Sequence, residues 1–316
     1  MASESELIAA LSAIFSSNSS AQEEIVGIGD DGAVVSTSGL QVLCADMAVE
    51  GVHFNLEWSS LYEIGGKITA ANLADVYAMG GEPKYILVSA GLTSDFGIAE
   101  VEELARGIRD EAALCGAAVV GGDLSTSKEL VISISVVGSI TDGNKPITRS
   151  GAKVGDHIFI SGLPGLSALG FELIKAQRDS LNLRAVAEHK KPSLDYSKAT
   201  SLVGRNVTAL IDTSDGLYTD AGHISEASHA GMVLDSDLIK KIPGFDKLAA
   251  ASGELEIEVW DLVFGGGEDH RFLCTSPDDL SGLGFYRIGN VAEGSEVKVK
   301  GAAPTQKGWS HRFKNS

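Results

Sequence analysis

The chain has 316 residues, enough for about two domains of roughly 150 residues each. Its 43 acidic and 25 basic side chains give a formal net charge of −18, which argues against nucleic acid or an anionic membrane as partner. With no run of about 18 apolar residues, no basic leader and no CxxC pair among its three cysteines, we expect a reduced, cytoplasmic protein.

The first half of the chain alternates predicted helices and strands. Ser3 and Glu6 form a capping box that predicts the start of the first helix. The helical period predicts helices over 3–15, 61–79 and 98–115. Apolar runs predict strands over 33–35, 42–45, 85–92, 117–121 and 130–140.

A turn-rich stretch, TDGNKPITRSGAKVGD, separates the two halves of the chain. We therefore predict two domains, 1–148 and 149–316. The second half predicts helices near 165–177, 195–204, 217–230 and 255–263. Its predicted strands lie near 157–161, 208–211, 231–235, 271–275 and 285–292. This mixture indicates an α/β or α+β fold in two domains.

The aspartates follow apolar, strand-like runs and are flanked by glycine or other small residues. They are Asp30 and Asp31 in GIGDDG, Asp46 after VLCA, Asp123 after VVGG, Asp212 and Asp215 in ALIDTSDG, and Asp269 in FGGGED. A strand end beside a glycine turn presents a side chain from rigid backbone into a cleft. Asp75 differs, because it lies on the 61–79 helix one turn after Asn72 and shares a face with it.

Carboxylates that converge in one cleft repel each other and require positive charge. Lysine and arginine are scarce in these segments, so a metal ion is the natural candidate. Oxygen ligands select Mg²⁺, Mn²⁺ or Ca²⁺, and Mg²⁺ commonly completes its shell with substrate phosphates. Each aspartate could instead cap a turn or a helix, but the whole set, flanked by glycines, favours a metal-dependent phosphate site.

Two glycine motifs match known nucleotide-binding patterns only in part. GIGDDG at 27–32 matches the dinucleotide fingerprint, but no long strand precedes it and AVVSTS after it is not helical. Gly66-Lys67 lies within a helical pattern and lacks the earlier glycine of a phosphate loop. We therefore expect neither a dinucleotide fold nor a Walker A loop.

Most of the histidines carry little information. His53, in VEGVHF, follows the Asp46 strand and could face the same cleft. His223 and His229 are predicted to be surface or packing residues on a helix. His270 adjoins Glu268 and Asp269, which leaves open a local charge partner or a site residue.

Seven segments, in order, resemble the thiamine-monophosphate kinase family, of the superfamily that includes aminoimidazole ribonucleotide synthetase. They are GIGDDGAVV, CADMAVEGVHF, NLADVYAMGGEPKY, VVGGDLSTS, TRSGAKVGD, IDTSDGLYTDAGHI and FGGGEDHRF. The resemblance implies transfer of the γ-phosphoryl of ATP to thiamine monophosphate, with several Mg²⁺ ions. It also implies a homodimer whose N-terminal mixed sheet pairs across the dimer, and a C-terminal α+β domain that completes the active site.

The resemblance implies a role for particular residues. The implied metal ligands are Asp30, Asp31, Asp46, Asp75, Asp123, Asp212 and Asp215. The implied nucleotide contacts are Gly122, Asp123, Arg149 and Ser214, and the implied substrate residues are His53, Glu268 and Trp309. Asp75, Asp123, Asp212 and Arg149 are expected to carry catalysis.

Three departures from the family pattern put minor contacts in doubt. Cys44-Ala45 replaces hydroxyl residues before Asp46, Gly66 replaces an aromatic residue, and His270-Arg271 replaces a tyrosine and an acid. The carboxylate set itself is intact.

A phosphate monoester oxygen is already a nucleophile near neutral pH, so we expect direct transfer without a strong general base or a phosphoenzyme. Two alternatives stay open: another ATP-dependent enzyme of the superfamily, and a non-catalytic protein that binds a thiamine phosphate or a nucleotide. Residues 1–43 contain no cysteine and the chain ends HRFKNS, which disfavours the selenide-activating and hydrogenase-maturation relatives.

Overall fold

A computed structural model describes residues 3–16, 24–28, 32–302 and 304–305. The chain divides into two compact units, Met1–Lys145 and Pro146–Ser316, close to the boundary that the turn-rich stretch predicts. Within the described ranges, every helix is too short or too polar to cross a bilayer.

The first unit contains three helices and six strands among its described residues. The helices are α1 (Glu4–Ser16), α2 (Leu61–Ala78) and α3 (Ile98–Ala113). The strands are β1 (Glu24–Val26), β2 (Val34–Val35), β3 (Gln41–Val49), β4 (Glu82–Leu92), β5 (Ala118–Thr126) and β6 (Val131–Ser139). β1 and β2 pair with each other, and the other four strands form a mixed sheet in the order β3-β6-β4-β5.

Helix α2 begins at a complete capping box, in which Glu63 N–H donates to the Ser60 hydroxyl and Ser60 N–H donates to the Glu63 carboxylate. Its glycines let it approach its neighbours closely. A Cβ at Gly65 would lie 2.4 Å from the Leu104 carbonyl of α3, and one at Gly107 of α3 would lie 2.1 Å from the Tyr62 carbonyl. Gly66 and Lys67 are buried within α2, as expected from the helical pattern.

The second unit is built on a six-stranded sheet, β12-β9-β11-β7-β10-β8, antiparallel except for the β12–β9 pair. Its strands are β7 (His157–Ile160), β8 (Ala209–Asp212), β9 (Gly231–Asp235), β10 (Phe272–Ser276), β11 (Tyr286–Ala292) and β12 (Val297–Lys300). Its helices are α4 (Leu166–Lys175), α5 (Leu183–Lys190), α6 (Tyr196–Leu202), α7 (Leu217–Ser228), α8 (Ser236–Ile239), α9 (Phe245–Glu254) and α10 (Val259–Gly265).

The structure corrects several predicted elements. β3 and β5 continue past the predicted strand ends at 45 and 121, because each pairs with a neighbouring strand along its whole length. The predicted helix at 255–263 is α10, which starts at Val259 and follows a separate helix, α9. The helices and strands that the sequence did not predict are short: β1, α5, α8, α9 and β12.

Candidate active site

In the first unit, Asp46 is held against helix α2. Its backbone N–H donates to the side-chain oxygen of buried Asn72 at 3.1 Å, while its carbonyl accepts from the Ser133 hydroxyl at 3.1 Å. Cys44, two residues earlier on β3, donates its S–H to the Asn72 carbonyl at 3.3 Å. The backbone of Asp46 is therefore fixed while its side chain remains exposed.

Asp75 lies on the same face of α2 as Asn72, the residue that contacts β3. It is half-buried. Because Asn72 and Asp75 share a face, Asp75 lies on the side of α2 that contacts β3, the strand that carries Asp46.

Asp123 and Gly122 correct the expectation of a turn at this point. Both lie inside β5, where the pairing with β4 contains an irregularity between Ile86 and Leu87. A Cβ at Gly122 would lie 1.8 Å from the Val88 carbonyl, so only glycine allows this approach of the two strands. Asp46 likewise lies within its strand and not at the end.

The sheet order separates Asp123 from Asp46. β5 and β3 are its two edge strands, with β4 and β6 between them. Neighbouring strands are about 4.8 Å apart, so the two edge strands are about 14 Å apart. Asp123 therefore lies on the edge strand opposite to the one that carries Asp46.

His53 lies in the turn that follows β3. Its Nδ1 accepts a hydrogen bond from the Val49 N–H at 3.1 Å. In the neutral ring the proton is therefore on Nε2, which makes Nε2 the donor of this half-buried side chain.

In the second unit, Asp212 ends strand β8 and is 3% exposed. The segment after it is joined to 268–271 by backbone hydrogen bonds from Thr213 to Arg271, from His270 to Thr213 and from Glu268 to Ser214. A Cβ at Gly267 would lie 2.4 Å from the Ser214 carbonyl. The FGGGED glycines therefore bring two backbone segments together beside Asp212.

A compact set of ligand atoms lies next to Asp212. One atom each from Asp215, Asp220 and His223 lies within 4.8 Å of the others. Asp215 N–H donates to Oδ2 of Asp220 at 3.2 Å, which ties the loop to the first turn of α7. Two carboxylates and an imidazole in this arrangement can hold a divalent cation.

The negative charge of this set is only partly compensated by the protein. Burial raises the pKa of Asp220 to about 8, and the charges of Asp212 and Asp215 contribute to the rise. A cation at this point would offset the same charge.

His270 is the direct partner of Asp212. Its Nδ1 lies 2.8 Å from Oδ2 of Asp212, and both side chains are buried. The acidic partner observed for His270 is therefore not the adjacent Glu268 or Asp269 but Asp212, 58 positions away in the chain. Its neighbour Glu268 is half-buried, with Oε2 3.7 Å from Nδ1 of His189.

Asp269 has a structural position. Its carboxylate accepts hydrogen bonds from the backbone N–H groups of Gly165 and Ser167, at the start of α4. Burial raises the pKa of Asp269, and Arg271 is the largest opposing influence. The alternative reading of the aspartates, helix capping, is therefore correct for Asp269.

Arg149 and Ser214 are both exposed. The carbonyl of Thr148, next to Arg149, accepts from the Leu210 N–H at 3.0 Å, which places Arg149 beside the edge strand β8. The Arg149 carbonyl accepts from the Ser228 hydroxyl at 3.0 Å. Ser214 follows Asp212 by two residues.

Three of the expected site residues, Asp30, Asp31 and Trp309, lie outside the described residues. Two others were not anticipated: Asp220, and His223, which was expected to be a surface or packing residue. The sequence did contain a signal for both. Asp220 and His223 are three residues apart near the start of a predicted helix, so they share a face, and they follow Asp215 closely.

Residues 29–140 match the family model described as AIR synthase related protein, N-terminal domain. The thiamine-monophosphate kinase of Mycobacterium tuberculosis is 35% identical over 280 residues, covering 88% of this chain and 82% of that protein. A solved structure described as AaThiL complexed with AMPPCP and TMP is 30% identical with a TM-score of 0.78, covering 86% of this chain and 87% of that one. The thiamine-monophosphate kinase of Stenotrophomonas maltophilia K279a has a TM-score of 0.82 at 28% identity, covering 93% of this chain and 96% of that one.

The first unit is thus an AIR synthase related domain, with a second sheet unit following it in the chain. The identity and coverage of the relatives define a particular family within that class. The chain belongs to the thiamine-monophosphate kinase family, a family of kinases.

Proposed function

We propose that the protein phosphorylates thiamine monophosphate to thiamine diphosphate with ATP, by direct in-line transfer in the presence of Mg²⁺. The observation that carries this proposal is the grouping of Asp215, Asp220 and His223 after β8, with Asp212 beside it. The relatives indicate which substrates such a site takes, since one of them is described with AMPPCP and TMP bound.

The residues present fit Mg²⁺. Carboxylate oxygens are the ligands it prefers, and the second unit supplies them from Asp215 and Asp220, with Asp212 beside them. In the first unit Asp46, Asp75 and Asp123 are the proposed ligands, with Asp30 and Asp31 from the sequence. When bound, Mg²⁺ neutralises phosphate charge and helps to align the reacting phosphates.

The other assignments concern binding. Arg149 is proposed to add a fixed positive charge on the nucleotide phosphates, with Ser214 and Gly122 as polar and close-backbone contacts. His53, Glu268 and Trp309 are proposed to contact thiamine monophosphate. Glu268 is suited to a cationic substrate, because its backbone is anchored to Ser214 and its half-buried carboxylate lies 3.7 Å from Nδ1 of His189.

The chain need not supply a strong base. The substrate's phosphate oxygen is itself the nucleophile near neutral pH, so the protein's task is to orient two phosphate groups and offset their charge. Asp75, Asp123, Asp212 and Arg149 are the proposed catalytic residues on this basis.

The proposal is tested by coupled ADP release with thiamine monophosphate, with and without Mg²⁺. Mg²⁺-dependent ADP formation, stoichiometric with thiamine diphosphate, is the expected result. ADP formation only with a different acceptor would favour another enzyme of the superfamily. Binding of both substrates without any turnover would favour the non-catalytic alternative.

Direct transfer makes a separate prediction. Incubation with γ-labelled ATP, without thiamine monophosphate, should leave no label on the denatured protein. A stable phosphorylated side chain would contradict in-line transfer between the two substrates.

We also propose a homodimer formed through the first unit, in the cytoplasm. On β3, Leu43 and Met47 are 72% and 59% exposed, and they alternate with the residues that meet α2. Leu87 of β4, 40% exposed, belongs to the same face by register. Apolar side chains exposed together on a sheet face are typical of a protein–protein contact.

A further inference from the structure

The contact between His270 and Asp212 is buried and direct. Nδ1 of His270 lies 2.8 Å from Oδ2 of Asp212, and the two side chains are 8% and 4% exposed. The residues are 58 positions apart in the chain, so the contact is a product of the tertiary fold. A buried carboxylate needs such a partner, because its charge is costly to remove from water.

The backbone holds His270 in a demanding conformation. Its φ is 48°, in the left-handed region that few residues with large side chains adopt. Its N–H donates to the Thr213 carbonyl at 2.9 Å, and Thr213 N–H donates to the Arg271 carbonyl at 2.9 Å. Arg271 N–H also donates to the Thr213 hydroxyl at 2.9 Å. These bonds fix the imidazole relative to the residue that follows Asp212.

We infer that His270 is a positioning residue that sets the orientation of the Asp212 carboxylate for cation binding. Its Nδ1–H donates to Oδ2 of Asp212, which stops the carboxylate from rotating and leaves Oδ1 available as a ligand. This inference rests on the proposed function for the role of Asp212, but it concerns cation affinity and can be measured without turnover.

The physical basis is pre-organisation. A carboxylate free to rotate loses side-chain entropy when it binds a cation, whereas one already held by a hydrogen bond loses less.

The experiment compares Mn²⁺ affinity, from the electron paramagnetic resonance of free Mn²⁺, in the full-length protein and its variants. His270→Phe removes the donor, and we expect the dissociation constant to rise about tenfold or more, as for other residues that orient metal ligands. His270→Asn places an amide N–H near the Nδ1 position and tolerates positive φ, so it should restore most of the affinity. His270→Gln carries its amide one bond further out and should not.

His229 provides a matched control. It has a φ of 52°, ends α7 and is exposed. His229→Phe introduces a comparable backbone demand without touching Asp212, so its Mn²⁺ affinity should equal that of the parent. Thermal unfolding of each variant identifies any that fail to fold. If His270→Phe fails to fold, the comparison of His270→Asn with His270→Gln tests the inference.

A double-mutant cycle with Asp212→Asn shows whether His270 acts through Asp212. In that background His270→Phe should cause little further loss. An unchanged affinity in His270→Phe, or an equal loss with and without Asp212, would overturn the inference. If the expected affinity changes appear but thiamine monophosphate is not phosphorylated, the proposed function fails and the positioning role stands.

Discussion

Asp212 and Asp75 are two carboxylates on different elements, and the proposed chemistry depends on both. Asp212 is buried at the end of β8, with one oxygen bonded to His270, and Asp75 is half-buried on the α2 face that meets β3. Neither position is explained by helix capping, in contrast to Asp269. The chemistry of each aspartate was thus decided by its partners and not by its neighbours in the sequence.

Asp212→Asn and Asp75→Asn should each lower kcat by about a hundredfold or more, because each removes a charge proposed to hold Mg²⁺ at the transferring phosphate. Steady-state ADP release measures the loss, and circular dichroism verifies folding. Asp246→Asn, at an exposed position in the first turn of α9, is the control and should keep parental kcat. Near-parental turnover in both test variants would contradict the interpretation of these aspartates as metal ligands.

Asp269→Ala should mainly affect stability. It leaves the Gly165 and Ser167 N–H groups without their acceptor, which should cost about 1–3 kcal/mol of unfolding free energy. Urea denaturation measures the loss. Asp246→Ala serves as the comparison, because an exposed acidic residue at a helix start contributes about 1 kcal/mol or less. Equal losses in the two variants would contradict the capping role.

At the scale of elements, the junction of Ser214 with the 265–268 segment forms the surroundings of Asp212. Gly267 lies close to the Ser214 carbonyl, and Gly216 lies close to Gly265. From the sequence, the glycines of FGGGED were expected to form a turn that presents Asp269 into a cleft. In the structure they serve close approach of backbone to backbone, which in turn positions the acidic residues.

Gly267→Ala should separate these segments, because its Cβ would lie 2.4 Å from a backbone oxygen that cannot move alone. We expect kcat/KM for thiamine monophosphate to fall about tenfold or more, as small displacements at an active site commonly do. Gly253→Ala is the control, since nothing lies within 4 Å of the added Cβ on α9. A Gly267→Ala variant with parental kinetics would show that this approach is dispensable.

In the first unit, the helix boundaries were predicted more closely than the strand lengths. The capping box of Ser3 and Glu6 and the apolar period over 61–79 predicted α1 and α2 to within about a residue. Strand length was less predictable, because β3 and β5 extend as far as their partners allow and their own sequences turn polar or glycine-rich earlier. Short elements such as α5 and β12 depend on tertiary packing and carry little local signal.

At the scale of the whole molecule, the exposed apolar face of the first sheet predicts its oligomeric state. Leu43→Glu combined with Met47→Glu should convert a dimer into a monomer, because charges would be buried at the contact. Light scattering coupled to size exclusion measures the mass. Leu114→Glu, at a 66% exposed position that ends α3, is the control and should leave the mass unchanged. A parental protein that is monomeric at micromolar concentration would contradict the proposed dimer.

The sequence alone determined the mixed α/β class of the fold, most of the helices, the acidic residues near glycines and the family. These features depend on the local period of apolar residues, on helix capping and on residue order, all of which can be observed directly in the sequence. Only the tertiary structure decided that Asp123 is separated from Asp46 by two strands, that Asp269 caps α4, and that Asp220 and His223 join Asp215. It also paired His270 with Asp212 across 58 positions. Sheet order and contacts between distant residues depend on how hydrogen-bonded strands assemble, and no local pattern of side chains specifies that assembly.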